Sequence, residues 1–146
     1  MNIRLFNEFL SSDDTLRVYE GNRLLFTSHR ERLLPLLEYI KGPASRHRKV
    51  VILDRVMGNA AALLAVKADC REVYSPLGSQ LALGTLKQYG ITYHFSRTVP
   101  YIQDTSHEHM CPMEKLSIGK QPEEFYEVIR NLSDSPHRES NAEGAG

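Results

Sequence analysis

An excess of charge of either sign is missing from this chain: 18 Lys and Arg are offset by 18 Asp and Glu over 146 residues. Without a net field there is no long-range pull on a polyanion, so neither nucleic acid nor an anionic membrane surface is an expected partner. Cysteine is nearly absent, with only Cys70 and Cys111. Two widely spaced thiols support neither a disulfide framework nor a four-thiolate zinc site, and they point to a cytoplasmic protein. Long apolar runs are also lacking, and none approaches the roughly 18 residues that a membrane span requires. The opening MNIRLFNEFLSSDD carries acidic residues and no long apolar core, so no export signal or anchor is expected.

What is present suits one globular domain: 41% of residues are hydrophobic and 25% charged. The domain is expected over residues 1–132. From residue 133 the stretch SDSPHRESNAEGAG has almost no apolar side chain and reads as a disordered tail. Apolar residues at helical spacing predict a short helix over residues 2–10. LRVYEGNRLLFTS, with Gly21 and Asn22 between two apolar runs, predicts a β-hairpin. HRERLLPLLEYIKG reads as a helix stopped by Gly42 and Pro43, with Pro35 at a first-turn position or a kink. VVIL, apolar at every position, is a strand covered on both faces.

Beyond it, RVMGNAAALLAVKA reads as a helix, REVYS as a strand, LGSQLALGTLKQYG as a helix closed by Gly90, and ITYHF as a strand. TVPYIQDTSHEHM is a loop, CPMEKL starts a short helix, and PEEFYEVIRNL is an amphipathic helix. Strands alternating with helices imply parallel pairing, which gives an α/β fold: a three-layer α/β/α domain with a five-stranded mixed sheet.

This element order, together with the SPLGSQ corner at residues 75–80, resembles the cytidine deaminase-like fold. The segments LRVYEGNRLLFTS, VVILDRVMGNAAALLAV, EVYSPLGSQLAL, TVPYI and MCPMEKL look like domain-of-unknown-function family 1893, over roughly residues 12–130. In a working deaminase, zinc is held by a His or Cys at one helix start and by two cysteines at the next, with a Glu moving protons. Here Asp54 to Val66 contains no His, Cys or Glu, and the two cysteine positions of the corner are Leu77 and Gln80. The resemblance therefore implies a lost zinc site: no metal and no cofactor are expected.

If the strands ending at Leu53 and Ser75 lie parallel and adjacent, the next two helices present free N–H groups at one edge of the sheet. Gly58 and Asn59 fall near one start, Pro76, Gly78 and Ser79 near the other. Two positive helix ends could seat a phosphate or carboxylate, each contributing about 0.3–1 kcal/mol. Equally, the glycines permit tight turns while Asn59 and Ser79 cap. Asp54 could accept from a ribose or base, act as acid or base, or merely cap the helix, and Arg55 could pair with a phosphate or simply be solvated. Cys111 stands three residues before Glu114, the spacing of a capping box with a thiol in place of the hydroxyl, and a thiol at a helix start is the best nucleophile candidate in the chain. Glu114 and Lys115 are further ligand-binding candidates, with Lys115 assisting the thiol or binding an anion; equally, the segment is a cap, a first-turn proline and a solvated salt-bridging pair. Cys70 is expected only to pack. His107, His109 and Cys111 alternate along a loop and, if extended, would face one side. SHRER and SRHRK lack interleaved aromatics and read as solvated basic faces.

Two functions follow. One is a zinc-independent deaminase-like protein binding a small anionic, nucleotide-derived ligand at the starts of two core helices. The other is an enzyme using Cys111 or Asp54 on a nucleotide-like substrate. A non-catalytic module that forms a homodimer through a sheet edge is a third reading.

Overall fold

VVIL becomes the spine of the molecule. In the computed structural model, which describes residues 3–134, it forms β3 (Val50–Asp54), with all five residues buried. The hairpin β1 (Leu16–Glu20) and β2 (Arg23–Ser28) turns at Gly21, whose φ of +61° is the left-handed conformation that glycine adopts without cost. β1 pairs antiparallel with β3. On the other side β3 pairs parallel with β5 (Cys70–Ser79), which pairs parallel with β6 (Thr92–Val99). A two-residue strand, β4 (Val56–Met57), adds a sixth. It pairs with Leu77 and Gly78 in the register already set by β3, so it prolongs the β3 line past Arg55. The sheet is mixed and open, with five lines of strand.

The helices are α1 (Ile3–Ser11), α2 (Leu34–Lys41), α3 (Asn59–Lys67), α4 (Gln80–Gln88), α5 (Pro112–Ser117) and α6 (Pro122–Asp134). Alternation along β3 sends Val50 and Ile52 to one face and Val51 and Leu53 to the other. Leu5, Phe6 and Phe9 of α1 cover Val51, Leu53, Tyr19 and Tyr74. On the opposite face Leu36 and Leu37 of α2, the alanines of α3, Ala82 and Leu86 of α4, and Phe125 and Ile129 of α6 close over Val50, Ile52 and Val73. α3 is the centre of that layer, packed against α2, α4, α5 and α6. It is apolar all round because it has no solvent side.

Several boundaries differ from the sequence expectation. Pro76 reads as a helix opener, yet β5 continues to Ser79 because β4 and the end of β6 supply ladder partners on both sides. The helix after it starts at Gln80. Likewise the helix read from Arg55 begins at Asn59, and the strand read as ITYHF runs on to Val99. Pro35 occupies the first turn of α2 rather than a kink. α6 extends to Asp134, two residues into the stretch read as tail; residues 135–146 of that tail lie outside the described residues.

Arg55 fastens α1 to the sheet. Its guanidinium donates to the carbonyls of Phe9 (2.9 Å), Leu10 (3.3 Å), Ser12 (2.6 Å) and Asp14 (2.9 Å) and lies over the Phe9 ring at 4.6 Å. A fixed cation on the carbonyl end of a helix satisfies orphan acceptors and complements the helix dipole. Arg55→Ala is expected to lower unfolding free energy by about 2–4 kcal/mol. Urea denaturation measures the loss, and limited proteolysis should cut first at the Ser11–Asp14 segment.

Candidate functional site

The start of α3 is closed. Gly58 is its N-cap residue, and the exposed N–H groups that an anion could have met are covered by the chain itself. Glu114 of α5, 2% exposed, places one carboxylate oxygen on the Asn59 N–H and the other on the Ile102 N–H at 2.8 Å. A methyl group on Gly58 would lie 2.9 Å from that carboxylate and 2.9 Å from Ile102, so the glycine is there for close approach. The helix end does seat an anion, and the anion is Glu114.

Asn59 does not cap. It is 6% exposed, donates from Nδ2 to Ser117 Oγ at 2.9 Å, and accepts at Oδ1 from the Thr85 hydroxyl. Ser117 in turn donates to the Glu114 carbonyl at 2.6 Å. This buried network joins α3, α4 and α5, and each member is satisfied. Because Asn59 meets Thr85, the first turn of α3 lies beside the second turn of α4 rather than beside its start. Both helices cover the same face of the sheet, so the space between them is packed. A crevice at a strand switch point needs helices on opposite faces.

The second helix start is more open. Ser79 caps α4 by accepting from the Ala82 N–H at 3.0 Å, and Gln80 is exposed. Pro76 is half-buried in the strand before it. At Gly78 an added Cβ would run into the Phe95 ring, so this glycine also serves packing. The constant register puts Asp54 level with Ser75, at the end of β3 and four residues before the ends of β5 and β6. Asp54 is 8% exposed. Burial pushes its carboxyl up to about 7, although the N–H groups of Arg55 and Val56 bond to it and oppose the rise. Among the described residues no basic side chain pairs with it. Arg55 is spent on α1 and is not available to a phosphate.

At the other cluster the capping box does not form. Cys111 is the N-cap residue of α5 without a side-chain cap bond. Its N–H goes to the Ile102 carbonyl at 2.8 Å, while Glu114 reaches across to α3 instead of back to Cys111. The thiol is half-buried and Lys115 is exposed. Cys70 packs in the core, its thiol pushed up to about 12 by burial. The loop carrying His107 and His109 is a tight turn, with the Asp104 N–H on the His109 carbonyl and His107 at φ +62°, so it is not extended. The donor set does not fit zinc: the positions where the resemblance would put zinc cysteines are Leu77 and Gln80, Glu114 is committed to two amides, and no three His, Cys, Asp or Glu converge among the described residues. No helix among those residues is long and apolar enough to cross a membrane.

Comparison with known proteins now has a geometry to meet. The model of the family described as Domain of unknown function (DUF1893) matches residues 5–133. The chain belongs to the DUF1893 family. The crystal structure of a DUF1893 family protein from Thermotoga maritima is similar to it, with 26% identity and a TM-score of 0.77 over 91% of this chain and 88% of that one. No curated protein matches. This DUF1893 chain thus shares an architecture with a solved relative whose description assigns no activity.

Sequence reading named Asn59 and Glu114 but not their partnership, and it missed Thr85, Ser117 and the Ile102 amide. One signal was available: Glu114 and Ser117, three apart on α5, put two polar groups on one helical face. Glu114→Ala is expected to cost about 2–4 kcal/mol by stranding two buried N–H groups. Glu114→Gln, which keeps one acceptor oxygen, should recover part of it; urea midpoints compare the two.

Proposed function

We propose that this DUF1893 chain is a zinc-independent member of the deaminase-like fold that binds a small anionic, nucleotide-derived molecule at the carboxyl edge of its parallel strands. The start of α4 is the seat for its anionic group, and Asp54, four residues back along the strands, meets the rest of the ligand. The observation that carries this reading is Asp54: a buried carboxyl without a cation partner, able to gain or lose a proton near neutral pH, at the end of β3. A core has no need of such a group, because an apolar residue of similar size would cost less to bury. The same carboxyl is what turnover would require of a general acid or base.

The test is a thermal-shift panel of nucleotides, nucleosides and ADP-ribose on the full chain, run at pH values on both sides of 7 for wild type and Asp54→Asn. One ligand class is expected to raise Tm in the wild type and to lose most of that effect in the variant. A flat response across the panel overturns the proposal.

Asp54 also sets a pH dependence that needs no ligand. In the unfolded chain it loses its proton near the ordinary aspartate value, but in the folded chain only at about 7. Between those values the folded state holds the extra proton, so stability falls as pH rises through the window and levels off above it, by up to about 4 kcal/mol from this group. Asp54→Asn, uncharged throughout, should lose that slope in urea melts recorded from pH 4 to pH 8.

A further inference from the structure

We propose that the chain forms a two-fold dimer through β6, with a second copy of the same strand added antiparallel to its free edge. β6 lies at the margin of the sheet and pairs only with β5. Its ladder runs from Thr92 to Val99 without a register shift, so the edge is straight. Sheet edges left in solvent are ordinarily blunted by lysine, proline, a bulge or a covering element. The opposite edge has such protection: the β1–β2 ladder carries an irregularity between Val18 and Tyr19, and α2 packs along β2. β6 has none. TYHFSRTV contains no lysine, no acidic residue and no proline, is rich in aromatic and β-branched side chains, and holds one full charge, Arg97.

A second copy is the occupant because the strand complements itself. Opposed residues of an antiparallel pair share a face, so a two-fold axis must pass through a residue of β6. With the axis at Phe95, Tyr93 faces Arg97 of the second copy, His94 faces Ser96, and Thr92 faces Thr98. The single cation of each strand then meets an aromatic ring, and no like charges are opposed. Tyr93 and Phe95 are half-buried, with ring centroids 5.4 Å apart on the α4 side. On the other side the His94 ring stacks on Tyr74 at 4.2 Å and bonds Glu72 at 2.7 Å. Both faces next to the edge therefore offer ordered side chains for the second copy to pack against.

Sedimentation equilibrium of the full chain across the micromolar range tests this. Wild type is expected to show a reversible monomer–dimer equilibrium. Ser96→Lys combined with Thr98→Lys, both exposed positions, should weaken it by about tenfold or more while leaving unchanged the urea midpoint measured at dilutions where the wild type is monomeric. Leu24→Lys on β2 should leave it untouched. A chain monomeric throughout, a dimer indifferent to the β6 lysines, or a dimer broken by Leu24→Lys overturns the proposal. If the double variant does not fold, Ser96→Lys alone is read in the same way.

Discussion

The carboxylate of Glu114 across the start of α3 is the interaction on which the rest of this architecture depends. α3 is apolar on every side and sits at the centre of its layer, so its first N–H groups have no water to turn to. An unpartnered amide there would cost as much as several packed methylenes recover. The acceptor comes from 55 residues further along the chain. In supplying it, Glu114 brings α5 against α3 and orders the segment at Ile102. Asn59, Thr85 and Ser117 extend the same junction to α4, which makes α3, α4 and α5 one polar-keyed unit rather than three separately packed helices.

Arg55 does the converse on the opposite face. There a cation from the strand line covers the carbonyl end of α1, as Glu114 covers the amide end of α3. Each helix end is completed by a charged side chain distant in sequence, so two of the groups best suited to bind a ligand serve the fold. Asp54 stands apart from both. It is buried at the end of β3, and burial holds its proton to about pH 7.

The direction in which the helices return decides where a ligand could enter. α3 and α4 both come back over the same face, so their contact is tight and alanine-lined and leaves no cleft. Openness is displaced to the start of α4 and to the sheet margin at β6. A shallow hollow on α1 lined by Ile3, Arg4, Asn7, Glu8, Ser11 and Ser12 lies on the other layer, away from Asp54.

Much of this was legible in the amino-acid order alone: the hairpin from Gly21 and Asn22, the doubly buried β3 from VVIL, the central helix from its alanines, the three layers from the alternation of elements, and the family from its segments. The elements rest on local periodicity and turn chemistry, which a single chain carries within a few residues of each position, and the family rests on the resemblance of whole segments. What only the tertiary structure decided was the fate of the polar groups. Glu114 looked like the partner of Cys111 and proved to be the partner of Asn59; Arg55 looked free and is held by α1; Pro76 looked like a helix opener and lies within β5. Each outcome depends on which acceptor or ladder partner a distant segment brings near, and hydrogen bonding in a dry interior is settled by that proximity and not by spacing along the chain.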